Sequence, residues 1–208
     1  MLKTIAYDWF GVNQTLFFAV NSIRSSFFDE FMVLGSRLGS FWNMPWVVAM
    51  LLGMIFLRVY TPQTAPFQWI PQKATVVRAL LVFLLAYALG MGLVALLKVG
   101  LQMPRPAAAM LGSTVHIIGA VSSGYSFPSG HAAFSMLLVV AFWPNCRYLG
   151  RTLLVLFAAW VGFSRISVGA HFPVDVLAGY LCGGLGGWAS LYALDNLLGK
   201  HPRDAAIF

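Results

Sequence analysis

Residues 76–97 read VVRALLVFLLAYALGMGLVALL, an unbroken apolar run with one charge, Arg78. A helix rises about 1.5 Å per residue and the hydrocarbon core of a bilayer is about 30 Å thick, so roughly 20 such residues cross it. A helix apolar on every face belongs in lipid or in the centre of a bundle. Working outward, four more stretches follow the same pattern: 41–57, 127–143, 152–163 and 174–194. The run 152–163 is short, which places its ends in the interface or against neighbouring helices. The expected fold is all-α, a polytopic transmembrane helix bundle of five to six spans.

The difference between five and six spans lies in residues 16–38. Leu16, Val20, Ile23, Phe27, Phe31, Leu34 and Leu38 recur at helical spacing, with Asn21, Arg24, Ser25 and Asp29 on the other face. That pattern predicts an amphipathic helix, either lying in the membrane interface or crossing as a sixth span. Residues 1–40 therefore form an N-terminal interfacial region, and 41–208 the transmembrane domain. The extreme N-terminus lacks a continuous apolar run before a small-residue cleavage site, so no removable signal peptide is expected. Gly179, Gly183 and Gly187 repeat at four-residue spacing in the last apolar stretch, a pattern that lets another helix approach closely. Packing inside the bundle is expected there, rather than a dimer seam.

Composition agrees. The chain is 60% hydrophobic and 9% charged, with mean hydropathy +0.80, outside the range of soluble domains. Its net charge of +7 comes from basic residues scattered singly between apolar runs, which excludes a nucleic-acid-binding stripe. The two cysteines, Cys146 and Cys182, stand far apart and read as packing residues, and no His/Cys cluster suggests a zinc site.

Three polar clusters interrupt this background. Lys98-x6-Arg105-Pro106 follows the run 76–97. Ser126-Phe127-Pro128-Ser129-Gly130-His131 opens the next, and Ser164-Arg165-x5-His171-x3-Asp175 joins the last two. Threading the chain back and forth through the bilayer puts all three at one membrane face. A phosphoryl group in transfer spreads negative charge over its equatorial oxygens, and Lys98, Arg105 and Arg165 supply cations to neutralise it. Ser129 and Gly130 offer backbone N–H groups at a helix start. Pro173 predicts a helix beginning next to His171, so that Asp175 in its first turn reaches back to the imidazole, fixes its tautomer and leaves the other nitrogen to attack. His131 remains to protonate the departing oxygen.

These clusters resemble the three-part signature of the type 2 phosphatidic acid phosphatase (PAP2) superfamily, and every defined position is filled. The resemblance implies a phosphohistidine on His171, oriented by Asp175, with His131 as the acid that later activates water. It implies a phosphate held by Lys98, Arg105, Ser129, Gly130 and Arg165, and catalysis with no metal and no cofactor. His116 and His201 match no motif position. Soluble relatives of this constellation include vanadate-dependent haloperoxidases, which the apolar composition disfavours. A lipid phosphotransferase would differ only in its acceptor, and a non-catalytic membrane binding or transport protein would carry ionisable groups at mid-depth.

Two further expectations concern setting and substrate. Arg58, Lys73, Arg78, Arg147, Arg151, Lys200 and Arg203 fall on the face opposite the clusters, which the positive-inside rule makes cytoplasmic. That gives a bacterial inner-membrane protein with its C-terminus inside and its site open to the periplasm or exterior. The partner is then a membrane lipid phosphate. Undecaprenyl diphosphate ranks first, phosphatidylglycerol phosphate and phosphatidate second, and lipid A phosphates third.

Overall fold

The computed structural model describes residues 7–60, 72–110, 115–119 and 124–199. Among them lie seven helices of ten residues or more and no strand: α1 (Val12–Asn21), α2 (Ser26–Leu38), α3 (Met44–Tyr60), α4 (Lys73–Leu101), α5 (Gly130–Phe142), α6 (Tyr148–Ser167) and α7 (Pro173–Leu198). Short turns of helix occur at Trp9–Gly11, Phe41–Asn43, Pro106–Ala109 and Trp143–Asn145.

Helix α7 is the axis. It packs against α4 and α5, which also touch each other, and α5 and α2 pack on α6. Small residues make these approaches possible. Gly183 lies on the backbone of Ala133, Gly179 on that of Ser129, and Gly187 against Val140, all on α5 or its cap. On the other side of α7, a Cβ at Gly186 would come within 2.6 Å of the Gly90 nitrogen on α4. The four-residue glycine series therefore faces inward, into the bundle.

Length and apolarity suffice for crossing a membrane in three segments among the described residues: Phe41–Tyr60, Lys73–Ala109 and Tyr148–Ser167. Their lipid-facing sides are bare. In α3 only Leu51 is buried, while Trp46, Phe56 and Leu57 stand exposed, a surface that suits hydrocarbon. Two expected spans change in detail. The stretch 152–163 is the middle of a 20-residue helix, α6, whose polar ends Tyr148, Arg151, Ser164 and Arg165 concealed its length from a hydropathy reading. The stretch 127–143 contains a helix of only 13 residues, with Ala132, Ala133, Phe134 and Leu137 fully buried. Its apolar character serves the core of the bundle as much as the bilayer. Helix α7 has 26 residues, about 39 Å at the helical rise.

The amphipathic segment 16–38 is two helices, not one. The chain breaks between Asn21 and Ser26, where the Ser25 hydroxyl caps α2 by accepting from the Phe28 N–H at 3.2 Å. Asn21 is also not on a solvated face. Fully buried, it donates to the carbonyls of His116 (2.8 Å) and Ser167 (2.9 Å) and accepts from the His116 N–H (2.9 Å). With Asn13 and Phe17 it forms the inward stripe of α1. Leu16, Ile23, Phe27, Phe31, Leu34 and Leu38 face outward and are exposed. Arg24 is neutralised by Asp29 at 3.0 Å. At the far end of the bundle Arg78 pairs with Asp195 and donates to the Gly199 carbonyl.

Candidate active site

The three polar clusters meet at one end of the bundle, around a cavity of about 700 Å³. Lys98, Arg105, Gly130, His131, Arg165 and His171 all line it. Each arrives by a different local device. Helix α4 ends just after Lys98, where Gln102 takes a left-handed conformation (φ 51°) and turns the chain toward Arg105. The Lys98 ammonium donates to the carbonyls of Tyr125 (2.7 Å) and Ser126 (3.2 Å). Arg105 donates through Nε to Gly124 O (2.9 Å) and through Nη1 to Ala170 O (2.9 Å). These bonds tie the end of α4 to the segments on both sides of the site, and Ser126 N–H to Met103 O (2.8 Å) closes the same seam. Arg165, in the last turn of α6, donates to the Ser36 hydroxyl.

His171 lies between α6 and α7, and its own N–H is held by the Arg165 carbonyl at 3.1 Å. Pro173 starts α7, as the sequence predicts, and Asp175 in its first turn accepts from the Phe172 N–H at 2.9 Å. Asp175 Oδ2 stands 3.4 Å from His171 Nδ1. That is long for a hydrogen bond, as catalytic contacts often are before substrate tightens them. Ser126 completes the group: its hydroxyl donates to Asp175 Oδ2 at 2.5 Å and lies 3.3 Å from His171 Nδ1. With Nδ1 turned to Asp175 and Ser126, Nε2 is the ring nitrogen left for the cavity. Burial lowers the His171 pKa to about 4, helped by the charges of Arg165 and Arg105 and opposed by Asp175. The imidazole is thus neutral at pH 7, the form that carries a nucleophilic lone pair.

His131, one residue into α5, also lines the cavity, its ring edge-on to Phe41 with centroids 5.6 Å apart. Ser129 is placed differently from its expected role. Its N–H is engaged by the Asp175 carbonyl at 2.9 Å, its hydroxyl caps α5 at Ala132, and its side chain is buried behind the cavity wall. The first-turn amides that remain beside the cavity are those of Gly130 and His131. Asp175 likewise sits behind His171, wholly buried. Among the described residues no group of three or more His, Cys, Asp or Glu side chains gathers as a metal site.

Sequence reading missed two contributions. The last turn of α2 and the link to α3 supply Ser36, Arg37, Ser40, Trp42 and Asn43 to the cavity wall. Gly35 and Gly39 bring them there by packing on Trp160 and Val161 of α6. The second is Tyr7, whose hydroxyl donates to Asp175 Oδ1 at 2.7 Å. Neither lies near a motif, and an isolated arginine or tyrosine in the N-terminal region carries no local signal.

A bundle of membrane-crossing helices with this cavity has clear relatives. The chain belongs to the PAP2 superfamily, whose profile matches residues 79–198. It is similar to the lipid A 4'-phosphatase of Bacteroides thetaiotaomicron, 31% identical over 97 residues, covering 45% of this chain and 42% of that one. The undecaprenyl-diphosphatase of Sulfolobus acidocaldarius is 29% identical over 155 residues, 68% of each chain. Among solved structures, the crystal structure of Aquifex aeolicus LpxE superposes with a TM-score of 0.69 at 27% identity, covering 87% of this chain and 95% of that one. The chain spans less than half the length of the first of these curated relatives.

Proposed function

We propose that this protein is an integral-membrane phosphatase that releases phosphate from a lipid phosphate or diphosphate through a phosphohistidine on His171. One observation carries the reading: four cations (Arg37, Lys98, Arg105 and Arg165), two imidazoles and the first turn of α5 line a single cavity, with a buried carboxylate behind one imidazole. In the first step His171 Nε2 attacks phosphorus, the P–O bond to the lipid breaks, and His131 gives its proton to the departing oxygen. Lys98, Arg105 and Arg165 hold the three phosphoryl oxygens, with the Gly130 amide beside them. In the second step His131 takes a proton from water, which displaces His171 and frees inorganic phosphate. No step needs a metal, and within the motifs the one carboxylate, Asp175, is occupied behind the nucleophile.

Undecaprenyl diphosphate is the favoured substrate, supported by an exterior site that meets the compartment where this lipid is released. A lipid A phosphate is the second reading, favoured by the likeness to the lipid A 4'-phosphatase of Bacteroides thetaiotaomicron. The deciding experiment measures phosphate release by purified protein in detergent and EDTA. It compares undecaprenyl diphosphate, phosphatidylglycerol phosphate, a lipid A phosphate and a water-soluble phosphomonoester. Lipid turnover that survives the chelator and exceeds that of the soluble ester is expected. Equal or faster turnover of the soluble ester rejects a lipid phosphatase, and activity restored only by Mg²⁺ rejects the metal-free mechanism.

We propose a bacterial inner-membrane setting with the cavity outside. Arg58, Lys73, Arg78, Arg147 and Arg151 support this orientation. Lys200 and Arg203, which would add to it, lie outside the described residues, as does His201. A C-terminal alkaline phosphatase fusion in a bacterial host is expected to be inactive and a green fluorescent protein fusion bright. The reverse pattern overturns the orientation.

A further inference from the structure

Asp175 accepts from four directions, and one donor comes from 168 residues away in the chain. Ser126 and the Phe172 N–H share Oδ2 with His171. On Oδ1 the Tyr7 hydroxyl is the hydrogen-bond partner found among the described residues. We propose that Tyr7 is a positioning residue for the nucleophile: by holding Asp175 at Oδ1 it keeps Oδ2 turned to His171 Nδ1. The proposal rests on the phosphohistidine reading above.

The placement of Tyr7 is over-determined. Its ring stands edge-on to Phe127 and Phe172, with centroids 6.0 and 5.7 Å away. Asn13, wholly buried on α1, donates to the Tyr7 carbonyl at 3.0 Å and accepts from the Val174 N–H at 3.1 Å. The same asparagine thus joins the Tyr7 backbone to the turn of α7 that carries Asp175. At the other end of α1, Asn21 makes the equivalent clasp to Ser167 and His116. With Asn13, Phe17 and Asn21 already fixing α1, the phenol is not needed as an anchor, and a phenylalanine would fill the aromatic slot equally. What the hydroxyl adds is a donor to a buried carboxylate. Burial, reinforced by the Asp175 charge, holds the phenol well above the usual phenol range, so it remains a donor at any physiological pH. The catalytic group so assembled draws on residues 7–21, outside the matched family segment 79–198.

The test compares Tyr7→Phe with the wild type in detergent, reading kcat, KM, the pH profile and thermal unfolding. The substitution keeps the ring and removes only the donor. A fall in kcat of about tenfold or more is expected, the usual scale for removing a group that orients another, with KM and the unfolding midpoint near wild type. The acid limb of kcat should also move to higher pH. Without the phenol's hydrogen bond more of the Asp175 negative charge bears on His171, and the imidazole then takes up a proton more readily. The groups facing this pair are Ser126, Lys98 and Arg105 on Asp175, Arg165 and Arg105 on His171, and His131 across the cavity, and all are unchanged in the variant. A wild-type kcat, or a fall in kcat with the acid limb unmoved, overturns the proposal. Wild-type protein that releases phosphate from no lipid overturns the phosphatase reading itself, and that outcome shows before any variant is made.

Discussion

His171→Ala is expected to lower kcat by at least about 10⁴-fold on every substrate, the scale seen when a covalent nucleophile is removed from a group that acts as a unit. His131→Ala is expected to lose less on natural lipids, about 10²- to 10⁴-fold, since it removes proton transfer and leaves the attacking nitrogen in place. Leaving-group chemistry separates the two. A nitrophenyl phosphate departs as a stable phenolate and needs no proton, so it should restore much of the first step in His131→Ala and none of it in His171→Ala. The intermediate separates them again: acid-labile, alkali-stable label from substrate should be trapped on wild type and on His131→Ala with the activated ester. Label trapped on His171→Ala would mean that another side chain is the nucleophile. Both histidines line one cavity, yet among the described residues only His171 has a carboxylate behind its Nδ1, and that asymmetry supports the roles proposed for them.

The candidate site was legible in the sequence because its residues are polar where everything around them is apolar. Lys98, Arg105, His131, Arg165 and His171 stand out against a chain that is 9% charged, and the cavity gathers all five. The start of α7 was equally readable, since Pro173 and Asp175 mark a first helical turn by their own local chemistry. Three things were not readable, for separate physical reasons. Ser129 looked like a phosphate donor because it precedes a helix, but the same position makes it the helix cap, and the Asp175 carbonyl engages its amide. Asn21 fell on the polar side of a helical pattern, and polar residues on such a face are usually solvated. Here two backbone carbonyls lacking helical partners, those of His116 and Ser167, draw it inward. Tyr7 gave no signal because its partner is distant in the chain and its own neighbourhood is ordinary. Periodicity reports which face of a helix is apolar and says nothing of which polar group will find a buried partner.

Gly183→Val is expected to prevent the bundle from assembling. A Cβ at position 183 would overlap the Ala133 carbonyl and approach the Leu137 nitrogen to 3.0 Å, both backbone atoms of α5. Backbone in a helix cannot rotate aside as a side chain can, so relief requires α7 and α5 to separate. Their contact extends from the turn that holds Asp175 against Ser129, through Gly179 and Gly183, to Gly187. Overpacking in a well-packed core typically costs about 1–3 kcal/mol, and this site has no flexible neighbour to give way, so the upper end or beyond is expected. Gly92→Ala is the control, because a Cβ there meets nothing within 4 Å, and alanine in place of a helical glycine is favourable by up to about 1 kcal/mol. Heating both variants in detergent and measuring the monodisperse fraction by size exclusion gives the comparison. Gly183→Val should leave little folded protein at temperatures the wild type survives, with phosphate release lost in step, while Gly92→Ala matches or exceeds wild type. If Gly183→Val instead stays folded and active and merely changes its elution from dimer to monomer, the glycine series is an interface between copies, and the packing of α7 on α5 that positions His171 is wrong.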